Sequence, residues 1–182
     1  LAFDPASVKG ATIRKEAGYG GVRVDLLATL DGARIALQVD IGFGDAVTPA
    51  PEAVHYPVLL PDLPAPQLRA YPKYTVVADK LHAVCLLGMA NMRMKDYFDL
   101  WVLLTEGVLD PQELRSAVAA TFHRRQLALP HAIPSGLSDA FAQDAGKQKQ
   151  WAAFLKKNRL QALDLAEVVG VLRSELQKLL AL

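Results

Sequence analysis

The dipeptide Asp31-Gly32 constrains this chain more than any other pair of residues. It lies between two apolar, alternating runs, 22–30 and 33–41, and Asp-Gly in that setting is the strongest short signal for a two-residue hairpin turn. Such a loop pairs Leu30 with Ala33, and outward from there Ala28 with Ile35, Leu26 with Leu37, Val24 with Val39 and Val22 with Ile41. All ten are apolar. The opposite face then carries Arg23, Asp25, Leu27 and Thr29 across from Arg34, Ala36, Gln38 and Asp40. A slip of one residue would mix the two faces, so this register is favoured. It sets Asp40 directly opposite Arg23 and diagonal to Asp25, roughly 7–8 Å between Cα atoms.

Gly42 and Gly44 end the second strand. The segment 48–72 carries Pro49, Pro51, Pro57, Pro61, Pro64, Pro66 and Pro72, which predicts an extended loop with one short edge strand near 56–60. From residue 75 onward the pattern is helical. Thr75 is placed to cap a helix that runs to Leu87 and stops at Gly88, and Asn91 to cap another reaching about residue 104. Asp110-Pro111 followed by Glu113 opens a third helix, continuing to about Arg125. Ser138 opens a short helix, and 148–157 and 163–180 form two more. Strands first and helices after indicate an α+β chain, divided into a β-rich part over 1–72 and a helical part over 73–182.

The 182 residues are 52% apolar, which excludes a disordered chain, and no apolar run approaches the ~20 residues of a membrane span. The opening LAFDPASVKG lacks the regions of a signal peptide, and the single cysteine, Cys85, fits a reducing cytoplasm and core packing. The chain begins with Leu1, close to strand-like sequence, and is expected to be a piece of a longer protein. His55, His82, His123 and His131 show no metal-ligand spacing. GYGGVRV, at 18–24, is a turn into a strand and has no helix after it to make a phosphate loop.

The chemistry concentrates in four places. Asp40, flanked by Val39 and Ile41, is either a divalent-metal ligand or a solvated acid paired with Arg23. Lys80 is a lone cation in an apolar helix: it either meets phosphates as a compact charge or lays its stem on the apolar surface. Asp96 and Asp99 share a face of the next helix and Lys95 stands four residues before Asp99, an arrangement shared by cleft acids and by an ordinary salt-bridged helix surface. A basic segment over 121–160, with Arg124, Arg125, Lys147, Lys149, Lys156, Lys157 and Arg159 near Trp151 and Phe154, reads either as a nucleic-acid surface or as a solvated helical face over buried aromatics.

Together VDIGFGDAV, YPVLLPDLPAPQLRAYP and VVADKLHAVCLLGMANMRMKDYFDLWVL, with the later TFHRRQLALP and QWAAFL, resemble the AbiEii/AbiGii toxins, nucleotidyltransferase-like proteins of type IV toxin–antitoxin and abortive-infection systems. The resemblance implies a partial polymerase-β-like fold followed by a helical bundle. It implies transfer of a nucleotide from a nucleoside triphosphate to an RNA such as tRNA, with Mg²⁺, and neutralisation by an antitoxin. By the same resemblance Asp40 is the third metal carboxylate and Lys80 the triphosphate lysine, catalytic together with Asp96 and Asp99; Arg93 and Lys95 join Lys80 in nucleotide binding. Two departures stand out: Asp79 replaces the family's usual Glu, and no Gly-Ser turn with a paired-acid strand precedes Asp40. The chain is therefore expected to match the family's C-terminal two-thirds and to be unable to catalyse alone, leaving a non-catalytic nucleotide-, RNA- or antitoxin-binding module as the alternative.

Overall fold

A computed structural model gives an α+β fold and describes residues 1–13 and 20–180. The expected turn at Gly18 and Tyr19 lies outside the described residues. The chain forms two compact units, Leu1–Asp45 and Ala46–Leu182. That division falls earlier than residue 72, because the proline-rich segment is tied forward: the Thr75 hydroxyl donates to the Thr48 carbonyl (2.9 Å) and accepts from its N–H (3.0 Å).

The first unit is an antiparallel sheet in the order β1-β2-β3, with β1 at Ala2–Ile13, β2 at Gly21–Leu30 and β3 at Ala33–Gly42. The β2–β3 register is the expected one at every position, from Leu30 opposite Ala33 to Val22 opposite Ile41. Asp31 (φ 47°) and Gly32 (φ 82°) both take positive φ, the backbone of a type I′ turn whose twist matches the strands it joins. β1 is an addition to the sequence reading. Its alternation is broken between Asp4 and Lys9, where the register shifts, and the Ser7 hydroxyl accepts from Leu27 N–H inside the bulge (2.8 Å).

The second unit opens with a ribbon of β4 (Glu52–His55) and β5 (Gln67–Ala70). The edge strand expected near 56–60 instead ends at His55. Pro57 has no N–H to continue the ladder, and Tyr56 N–H to Pro66 O (2.9 Å) adds one further bond.

Six helices follow: α1 Lys73–Leu87, α2 Met94–Thr105, α3 Pro111–Arg124, α4 Asp139–Gln143, α5 Ala145–Asn158 and α6 Leu165–Leu180. Thr75 lies inside α1 rather than capping it, since Pro72 at the N-cap fits the helix entry and the Thr75 hydroxyl is spent on Thr48. Asn91 precedes α2, and its Oδ1 accepts Arg93 N–H (2.8 Å). Asp110 caps α3 as expected, accepting from Gln112 and Glu113 N–H at 2.9 Å. Asp164 and Glu167 form a reciprocal capping box at α6.

The core of this unit joins Val77, Leu81 and Val84 of α1 to Tyr97 and Leu100 of α2, Val118 and Phe122 of α3, and Val168, Val169 and Leu172 of α6. Tyr97 stacks on Phe141, ring centroids 5.0 Å apart, and its hydroxyl donates to Gly136 O (2.9 Å). A Cβ on Gly136 would stand 2.6 Å from Val84 O, so that close approach needs glycine. No helix among the described residues is long and apolar enough to cross a membrane.

Candidate functional site

α1 and α2 pack together after a reversal at Gly88 (φ 50°) and the short 3₁₀ turn Gly88–Ala90. That geometry brings Lys80 onto the i, i+3 acids of α2. Lys80 Nζ lies 3.0 Å from Asp96 Oδ1 and 2.6 Å from Asp99 Oδ2. The lysine side chain is 16% exposed and that of Asp96 3%, so this is a largely desolvated contact and not a surface pair.

Two more cations close around the acids. Arg93 Nε stands 2.8 Å from Asp96 Oδ2, and Lys95 Nζ donates to Asp99 Oδ2. The Arg93 contact is ionic in character: Asp96 Oδ2 is buried and accepts no hydrogen bond from the described residues. Burial pushes the Asp99 pKa up, but hydrogen bonds and charges from Lys80 and Lys95 outweigh it, holding the carboxyl below its usual range. Arg93 and Lys95 are 60% and 70% exposed, so their charge reaches solvent while that of Lys80 is committed to both acids.

Three cations and two carboxylates make the cluster net positive. It attracts anions and disfavours a divalent cation. Asp40, assigned to metal by resemblance, lies in the first unit and is held by Arg23: Nε to Oδ1 at 2.7 Å and Nη2 to Oδ2 at 2.8 Å. Both of its oxygens are thereby engaged, and among the described residues no group of three or more His, Cys, Asp or Glu could hold a metal ion. The described residues do not fit Mg²⁺.

Several groups that the sequence reading named but did not join to one another lie in the same unit. Asp79 Oδ1 pairs with Arg125 Nη2 at 2.9 Å, and Arg125 Nη1 lies 3.4 Å from Nδ1 of the buried His82. The quoted TFHRRQ string contains Arg125, but spacing alone gave no link to α1. Lys147, counted with the basic face, is instead 8% exposed, with Nζ 2.8 Å from Asn91 O and 5.3 Å above the Phe141 ring. Trp151 is buried and donates to Leu163 O (3.1 Å), so it offers no face to a nucleobase. The exposed cations of that segment are Arg124 of α3 and Lys149, Lys156, Lys157 and Arg159 of α5 and its cap. An aliphatic cavity of about 300 Å³, lined by Leu81, Leu100, Leu114, Leu172 and others, includes none of the candidate charged residues.

The family model described as "Nucleotidyl transferase AbiEii toxin, Type IV TA system" matches residues 2–175. The match takes in the strands of the first unit together with the helices, which corrects the expectation of a likeness confined to the family's C-terminal two-thirds. That description implies a nucleotide substrate and an antitoxin partner. No curated protein matches the chain.

Proposed function

The chain belongs to the AbiEii nucleotidyl transferase toxins of type IV toxin–antitoxin systems, and from that premise we propose that its helical unit binds the phosphates of a nucleoside triphosphate and that the acceptor of the nucleotide is an RNA, a tRNA above all. The observation that carries this reading is Lys80 seated between Asp96 and Asp99, with Arg93 and Lys95 on the solvent side. Lys80 offsets one of the two negative charges, and with Arg93 and Lys95 the cluster carries a net positive charge that does not repel a phosphate. The acids in turn align the outer cations. Arg93 offers a planar fork that takes phosphate oxygens in pairs, and Lys95 a compact charge.

This chain by itself is proposed to bind without transferring, because Asp40 is locked to Arg23 and no group of three or more metal-ligating side chains forms among the described residues. No transfer step is assigned to its residues. Reaction and antitoxin control both belong to the cytoplasm, where triphosphates and tRNA are available.

The test is incubation of the 182-residue chain with Mg²⁺, each labelled ribonucleoside triphosphate and tRNA. The expected result is saturable triphosphate binding, weakened about tenfold in an Arg93→Ala/Lys95→Ala variant, and no labelled tRNA. Failure to bind any triphosphate would sink the site reading, and labelled tRNA would sink the non-transferring one.

The exposed Lys149, Lys156, Lys157 and Arg159 favour a second reading, a non-catalytic module that holds RNA or an acidic antitoxin surface. Tight RNA binding that survives Lys80→Ala and Arg93→Ala would select it.

A further inference from the structure

Lys147 is a cation in the wrong place for a surface residue. It occupies the first turn of α5, yet its ammonium is buried, and among the described residues it has no carboxylate partner. Its contacts are the Asn91 carbonyl and the face of Phe141. A buried ammonium without an acid is costly, and an apolar side chain would fill the same space without that cost. What the ammonium supplies and a hydrocarbon does not is a hydrogen bond to one particular carbonyl.

That carbonyl starts a continuous chain of contacts. Asn91 is fully buried in the turn ahead of α2, and its Oδ1 accepts Arg93 N–H at 2.8 Å. Arg93 reaches Asp96 Oδ2 at 2.8 Å, and Asp96 Oδ1 accepts from Lys80 at 3.0 Å. Lys147 thus grips one side of Asn91 while the other side sets the backbone from which Arg93, Lys95 and the acids project. A turn held only by Arg93 N–H and by Asn91 N–H to Gly88 O (3.1 Å) would still be free to rotate its carbonyl.

We propose that Lys147 is a positioning residue for the phosphate-facing cluster, acting through the Asn91 turn to fix where α2 presents Arg93, Asp96 and Asp99. This inference rests on the nucleotide-binding reading of that cluster. Lys147 itself touches no nucleotide: it lies beneath the turn, and its substitution acts by letting Arg93 and Asp99 drift.

The experiment compares Lys147→Met, Lys147→Arg and Lys178→Met in the full chain. Lys178 is an exposed lysine of α6, paired with Glu175, and serves as the control. Folded fraction is set by urea unfolding, binding is read with a ribose-labelled fluorescent ATP, and the Asp99 carboxyl is titrated by carbon NMR. For folded Lys147→Met, affinity is expected to fall about tenfold, as for a displaced binding group, with the Asp99 titration moving up toward the usual carboxylate value. Lys147→Arg, which restores a donor to Asn91 O, recovers most of both, and Lys178→Met changes neither. A folded Lys147→Met that binds like the parent and leaves Asp99 unmoved overturns the proposal. If Lys147→Met does not fold, Lys147→Gln, too short to reach the carbonyl, replaces it under the same criteria. If the parent itself binds no ATP, the nucleotide reading is what fails, and the positioning claim is then decided by the Asp99 titration alone.

Discussion

His82 is held neutral in the folded chain. Burial, with the Arg125 charge beside it, pushes its pKa from the ordinary 6.5 down to about 4. Arg125 only donates, so Nδ1 is the accepting nitrogen and the ring proton sits on Nε2, which finds no acceptor. Between pH 6.5 and 4 the unfolded chain therefore takes up a proton that the folded chain refuses, and stability falls as the solution is acidified through that range. The loss is no more than about 3 kcal/mol. Asp99 acts in a separate window: its folded carboxyl is held below the usual value, so its contribution is present above the ordinary carboxylate range and is lost only in stronger acid. Urea midpoints measured from pH 7.5 to pH 4.5 are expected to fall in the parent and to stay nearly flat in His82→Phe; an equal slope in both would refute the assignment. Part of this chemistry was legible in the sequence. Helical spacing put Asp96 and Asp99 on one face, and strand register put Asp40 on Arg23. The Asp79–Arg125–His82 contacts and the Asn91–Lys147 bond join residues 43 to 56 positions apart, which no local spacing announces.

At the scale of elements, the hairpin was readable because one dipeptide fixed its loop length and the apolar alternation fixed its faces. β1 was not, because Pro5 and the bulge between Asp4 and Lys9 erase the alternation that a strand is recognised by. Helix ends were readable where a side chain caps them, as at Asp110 and Ser138, and missed where none does, as at Pro72 and Arg93. Two helices end on residues that sequence rules do not favour. Gln126 (φ 55°) follows α3 and Arg159 (φ 54°) follows α5, each in the left-handed region. The next N–H in each case closes the last turn, Leu127 to Phe122 O and Leu160 to Leu155 O, both at 3.0 Å. Glycine adopts this backbone without a Cβ clash, so Gln126→Gly and Arg159→Gly are each expected to stabilise the chain by about 0.5–1 kcal/mol in urea unfolding. A loss of stability in both would show that the side chains contribute more than the strained backbone costs.

Across the whole molecule, the apolar core is distributed unevenly. Among the described residues of the first unit Ala28 is the buried apolar side chain, while Phe3, Val39 and Ile41 are each more than 40% exposed. The clustered core lies between Val77 and Leu176. A three-stranded sheet with so little buried area does not hold itself together in water, whereas a six-helix unit of this size does. Expressed separately, 46–182 is expected to melt cooperatively by circular dichroism and 1–45 to show no cooperative transition; a sharp melt of 1–45 would count against this partition. The same core shelters Cys85, the chain's single thiol, whose pKa burial raises to about 12. A thiol reagent reacts with the thiolate, so the half-buried Cys85 is modified more slowly than a free thiol for as long as α1 keeps its packing. The helix that carries Lys80 thus contains its own reporter: the modification rate of one sulfur, without any introduced probe, rises when that helix loosens.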